Sequence, residues 1–322
     1  MSKSSVEQTT IIHSYEIDLR ELVGAIWQGK LVIICITTIF AIGSVFFALS
    51  KPDEYKATAI LAPVSNSSGS ALSGLAGQFG GLASLAGVSF GGGNGDDKIT
   101  LAIELLKTWG FLDTFIRDNQ IEVEVFAAKG WNREYNQLVL DSNVYDLKNK
   151  KWVRVVSDPS KGQKPEPSSW ELFGALEGRV SINQDKKTGL IILSVEYFSP
   201  FIAKEWVDKL VYMINNHFQE QDREDALKNI SYLRKQIDKT NIEAMKSVFY
   251  QLIEEQTKAL MLAEVNDEYV FKVLSSARVA EEKSKPGRAL IAILGTMLGG
   301  ILSIFVVLVR HILFSNKRKS NE

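Results

Sequence analysis

Hydrophobic and polar positions divide the chain into three parts. Two stretches without a charged residue, Leu31–Leu49 and Ala289–Val309, flank a mostly polar middle. As helices at 1.5 Å per residue they reach roughly 28 and 31 Å, enough to cross a hydrocarbon core of about 30 Å. The pattern predicts transmembrane helices over 31–49 and 289–309. It leaves tails over 1–30 and 310–322 and one middle domain over 50–288.

The first tail has Leu19, Leu22, Val23 and Ile26 at helical spacing after Asp18, with Glu21 three residues on, which suits an amphipathic helix with an N-cap; a disordered tail is the alternative. Trp27 and Lys30 then stand where interfacial anchors belong. After the first span, Tyr55–Val64 has strand character. Residues 65–98 hold ten glycines and seven serines, a composition that favours a flexible loop, although Leu72, Leu75, Phe79, Leu82 and Leu85 keep the spacing of a loose helix. One stripe of Ala102, Leu105, Leu106, Trp109, Leu112 and Ile116 predicts a single helix over 99–117. Residues 121–140 match no template. Hairpins are expected at 144–147 with 152–156 and at 179–183 with 190–197, and Ser168 and Glu171 have capping-box spacing for a short helix.

From Phe201 to Lys285 the chain has neither glycine nor proline. Trp206, Leu210, Met213, Ile214 and Phe218 begin an apolar stripe, and Ala226, Ile230, Leu233 and Ile237 continue it at coiled-coil steps. A helix over 201–238, a break near Asp238–Asn241, a returning helix over 242–262 and a strand over 269–274 follow. The predicted fold is α+β: an α/β base with a long helical hairpin (201–263) protruding from it, flanked by two transmembrane helices.

Charge sets the expected orientation. Long loops translocate largely regardless of charge, so the short tails decide. Arg310, Lys317, Arg318 and Lys319 cluster beyond the second span, which places both tails in the cytoplasm and the middle domain outside; an uncleaved anchor is favoured over a cleaved signal peptide. A formal net charge of −1 points to no nucleic-acid partner. The one cysteine, Cys35, lies within the first span, and His13, His217 and His311 are too scattered for one metal site. Neither a metal nor a cofactor is expected.

The segment EIDLRELVGAIWQGK before a span, the strand after it, the Gly-rich insert, the long helix after Phe198-Ser199-Pro200, the Thr188-Gly189 strand, the Tyr269–Leu274 strand and Pro286 before the second span come in a telling order. Together they resemble the Wzz chain-length determinants, the polysaccharide co-polymerases, over the whole chain. Pro286 stands alone where that family is usually richer in proline. The resemblance implies a non-enzymatic bacterial inner-membrane protein with a periplasmic main domain. It implies a ring-like homo-oligomer, an octamer by family resemblance, that sets the modal length of a surface glycan such as the O-antigen of lipopolysaccharide. Its implied partners are further copies, a Wzy-type polymerase and a lipid-linked glycan.

Catalytic alternatives find little support in the residues. The kinase-bearing relatives need a GxxxxGK[ST] phosphate cradle, which this chain lacks. Glu254, Glu255, Asp267 and Glu268 are read as solvated helix surface rather than a glycosidase pair, and Trp131, Trp152, Trp170 and Trp206 as core rather than sugar platforms. The chemistry expected is association. Gly295, Gly299, Gly300 and Ser303 offer a small-residue surface for helix packing in lipid, against the first span, a neighbouring copy or the polymerase. Ala226, Ile230, Leu233 and Ile237 are the packing seam of the long helix, and Pro286 marks the segment before the second span. A two-span periplasmic sensor or structural tether is the competing class, and a membrane-bound glycan enzyme the third.

Overall fold

Strict alternation builds the centre of the sheet. Tyr55, Ala57, Ala59 and Leu61 are buried while Lys56 and Ile60 point outward, forming β1 (Tyr55–Pro63). The computed structural model describes Gly24 and residues 26–64, 95–156 and 163–319, with 95, 96 and 312–319 described as backbone alone. The expected helix of the first tail up to Val23 and the expected loop or loose helix over 65–94 lie outside the described residues. The chain forms two units, one holding the two apolar segments and the other spanning Pro52–Lys285.

In the second unit, β1 lies inside a four-stranded sheet of order β6-β7-β1-β8, where β6 is Val180–Gln184, β7 Ile191–Tyr197 and β8 Phe271–Ser275. All pairings are antiparallel; Ala57 faces Val195, Ala59 faces Leu193 and Leu61 faces Val273. The β6–β7 turn places Gly189 at φ +73°, where a side chain would be strained. Glu54 and Lys285, near the two ends of this unit, form a β-bridge that ties its start to its finish.

A helix of 40 residues, Pro200–Lys239, packs on β1 and β7. Ser199 caps it through its side chain and Pro200 opens it, where a missing N–H costs nothing. Its first half buries Ala203, Trp206, Val207, Leu210, Ile214 and Phe218, and the small Ala57 and Ala59 of β1 let it come close. Asn215, buried on this helix, accepts from Val270 N (2.8 Å) and Phe271 N (2.9 Å) and donates to Phe271 O (3.0 Å). Its amide thus replaces a strand neighbour for the chain entering β8.

The single helix expected over 99–117 is two. Gly95–Leu105 ends and Trp109–Asp118 begins at a new N-cap, Thr108, whose hydroxyl accepts from Phe111 N at 3.3 Å. The turn lets Phe111, Leu112, Phe115 and Ile116 enter the core together and puts Trp109, expected inside the stripe, outward. The unassigned region resolves into a short helix, Glu122–Ala127, and a hairpin of β2 (Ala128–Asn132) with β3 (Gln137–Leu140). The next hairpin is shorter than expected, pairing only β4 (Tyr145–Asp146) with β5 (Lys151–Trp152). Asp146 accepts from Lys148 N and Asn149 N, and this tight Asx turn confines the ladder. The helix Ser169–Glu177 carries the capping box in full, Ser168 and Glu171 each accepting the other's backbone N–H.

The long helix stops at Lys239, and Glu243–Val265 returns along it. The strand after it starts two residues later than expected. Tyr269 is drawn aside, its hydroxyl donating to Asp222 at 2.5 Å, while burial and that carboxylate push its pKa up.

Candidate functional site in the paired helices

Two antiparallel helix pairs, one in each unit, contain the association residues expected from the sequence. The first joins Lys30–Ser50 to Arg288–Lys319, both with an apolar stretch long enough to cross a membrane. Aromatic and basic groups meet at both ends of the first helix: the Lys30 ammonium lies 5.7 Å from the Trp27 ring and that of Lys51 5.1 Å from Phe47. Such pairs suit the boundary between lipid and water.

Gly295 abuts Ser44 so closely that a methyl group there would lie 2.9 Å from its Oγ, and one at Gly299 would lie 2.5 Å from Phe40 Cβ. Fully buried Ser303 comes next, its hydroxyl oxygen 3.5 Å from that of Thr37. The Ser303 proton goes to Gly300 O at 2.7 Å, which leaves Thr37 as the donor between the two hydroxyls. Gly295, Gly299 and Ser303 therefore meet the first span of the same chain. Gly300 does not: nothing lies within 4 Å of the position its Cβ would take, because one residue turns the helix by 100°. At the far end Gly29 meets Val307 in the same way, a contact the sequence reading missed because Gly29 precedes the apolar run.

The second pair is the hairpin. Ala226, Ile230 and Leu233 are buried against the returning helix, while Ile237 is only half-buried near the tip. The returning helix buries Phe249 and Ala263, neither of them expected from the sequence. They stand 14 positions apart, two heptads, the signal that would have found them. Gln219 bonds Ala263 O and Asn229 bonds Gln256 (3.4 Å), fixing the antiparallel register. Outer faces carry ion pairs one turn apart, such as Lys204–Asp208 at 2.6 Å and Lys228–Glu224 at 3.2 Å, each contributing a few tenths of a kcal/mol. Pro286 accepts from Arg288 N at 2.9 Å and begins the turn into the second span.

Residues set aside as unreactive sort less simply. Glu254 pairs with Lys258 at 3.0 Å on an exposed helix face, but Asp267 and Glu268 lie in the connection after the helix, not on it. Glu268 accepts from Val273 N at 2.9 Å and so belongs to the start of β8. His217 is exposed, its ring edge-on to Phe111. Among the described residues no group of His, Cys, Asp and Glu is arranged to hold a metal ion. Trp206 is core, and Trp131 and Trp152 are half-buried. Trp170 corrects the expectation of core packing: it is 67% exposed and stacks on Trp109.

Among the described residues Glu171 is the carboxylate held furthest from its usual range. Arg154 bonds both its oxygens, at 2.6 and 2.7 Å, and with the Ser168 backbone N–H holds its pKa down to about 2. Arg154 also donates to Pro165 O at 2.7 Å, so the pair ties Arg154 to the chain entering the capped helix.

The family described as "Wzz: Chain length determinant protein" matches residues 15–119, and the family described as GNVR, "G-rich domain on putative tyrosine kinase", matches residues 238–312. The chain's nearest approach to a phosphate-binding run, Gly24 to Gly29-Lys30, continues into Leu31 instead of Ser or Thr. Among curated protein sequences none matches. A solved full-length bacterial polysaccharide co-polymerase is similar at 13% identity and a TM-score of 0.39, covering 92% of this chain and 99% of its own. A fragment of WzzB, a polysaccharide co-polymerase from Salmonella Typhimurium, is similar at 11% identity and a TM-score of 0.29, covering 73% and 100%. The chain thus carries a Wzz chain length determinant domain across the first span and the start of the sheet, and a GNVR domain across the returning helix and the second span.

Proposed function

We propose that this chain is a non-enzymatic inner-membrane scaffold that regulates the modal chain length of a surface polysaccharide, the O-antigen of lipopolysaccharide or a related glycan, made by a Wzy-type polymerase. The observation that carries the reading is the Wzz family match over residues 15–119. Residues 31–49 and 289–309 span the membrane, 50–288 form the periplasmic domain, and the tails 1–30 and 310–322 are cytoplasmic. The basic cluster of Arg310, Lys317, Arg318 and Lys319 supports that orientation. Copies associate side by side into a ring standing on one membrane face. The apolar side chains left exposed on the hairpin, among them Leu227, Tyr232, Tyr250 and Met261, support contact between copies there.

A deletion strain tests the function: its surface glycan should lose its modal length on a gel and recover it with the gene restored. An unchanged length distribution would overturn the proposal. The mass of the protein in detergent tests the ring, and a monomer at working concentration would refute it.

A further inference from the structure

The Pro52–Lys285 unit carries a pair of outward-facing indoles. Trp109 and Trp170 are 41% and 67% exposed, yet they stack with ring centroids 5.5 Å apart and planes at 21°. Each comes from the first turn of its helix. The pair is held from beneath: Trp109 Nε1 donates to Ser169 Oγ at 2.9 Å, and Ser169 Oγ donates to Asp113 Oδ1 at 2.6 Å. Asp113 Oδ2 accepts from Arg117 Nε at 3.0 Å. Trp170 is braced edge-on by Phe173, which packs on the core. Water would accept the Trp109 N–H equally well, so this chain of bonds serves to fix ring orientation at the surface.

We propose that Trp109 and Trp170, with Asp113 and Arg117 as the polar rim, form a binding platform for sugar units of a polysaccharide. A pyranose ring has a C–H face, which suits the electron-rich face of an indole, and a belt of hydroxyls, which need planar polar partners. A carboxylate with spare lone pairs and a guanidinium with spare donors on a side chain 56% exposed supply them. The surroundings favour a sugar over a second copy of the chain. The exposed residues within three positions of either indole are Lys107, Thr108, Gly110, Ser168 and Glu171, none of them a large apolar side chain. A stable contact between copies needs about 800 Å² on each side.

The proposal rests on the glycan-length reading, and its test separates the two. Full-length protein in detergent is titrated calorimetrically with lipid-free polysaccharide released by mild acid from the host strain's own surface. Wild type should bind. Trp170→Ala and Trp109→Ala should each weaken binding about tenfold, in line with aromatic stacking elsewhere, and Trp170→Tyr should recover part of it. Asp113→Asn should weaken binding less. The melting curve of Trp170→Ala should match wild type, since the side chain is outside the core. Equal affinities for wild type and Trp170→Ala overturn the proposal, as does absence of binding to wild type. A smaller detergent mass for Trp170→Ala also overturns it, because the indoles would then join copies. If deletion of the gene shifts glycan length while Trp170→Ala binds normally, the platform alone fails; if deletion shifts nothing, the function itself fails.

Discussion

The two helix pairs share an antiparallel geometry but are joined by opposite chemistry. In the hairpin, Leu233, Ile230 and Phe249 are buried, and water drives their association. In the span pair the contact residues are Gly295, Gly299 and Ser303 against Ser44, Phe40 and Thr37, while leucines, isoleucines and phenylalanines point outward. Lipid is as apolar as leucine, so large side chains gain nothing by turning inward; close backbone approach and hydroxyl pairing remain. The same large residue that stabilises one seam would prise the other apart.

Truncation and enlargement should therefore have opposite rankings in the two pairs. Phe249→Ala should cost the hairpin about 3–5 kcal/mol and Leu233→Ala about 2–5 kcal/mol. Hydrogen exchange would show the loss confined to the hairpin, with amides of β1 and β7 unchanged; protection lost evenly across the domain would contradict a separate seam. Enlargement should strike the spans. Gly299→Leu should separate them at a cost of about 1–3 kcal/mol, whereas Gly300→Leu, with open space around it, should be tolerated. The readout is disulfide formation between Thr37→Cys and Ser303→Cys in a Cys35→Ser background, lost with the first change and kept with the second.

Smaller effects sharpen the contrast. Ser303→Ala removes the acceptor for Thr37 and should cost about 0.6 kcal/mol in a detergent unfolding titration, far less than any hairpin truncation. Acid should leave both seams in place and loosen the contact of Arg154 with the capped helix start at Glu171. The Glu171 pKa is depressed from 4.5 to about 2, mainly by its bond to Arg154. A depressed carboxylate contributes stability that is whole above the unfolded value and is lost as pH falls from about 4.5 through 2. Arg154→Met should remove the part of the acid transition that falls in that window.

How much was legible varies with the range of the forces involved. The spans, the 200–239 helix, its return and the 180–197 hairpin follow from runs and periods local in sequence, which read directly. The break at Thr108 did not read. The stripe over 102–116 fits one helix, and only packing of Phe111 and Phe115 into the core, Phe115 edge-on to Trp206, favours a turn that leaves Trp109 outside. Trp170 misled for a similar reason, since an aromatic beside an apolar pattern resembles core until its partner is known. Gly300 was grouped with Gly295 and Gly299 by adjacency, although the face repeats every four residues.

The sequence by itself determined the number of apolar crossings, the class of the middle domain and which positions are small enough for close packing. These depend on composition and on periods that each segment carries alone. The tertiary structure decided which partner each small residue meets, which of two neighbouring glycines lies at a seam and which tryptophans stay at the surface. Those outcomes depend on contacts between residues 60 to 266 positions apart, and no local pattern encodes the partner.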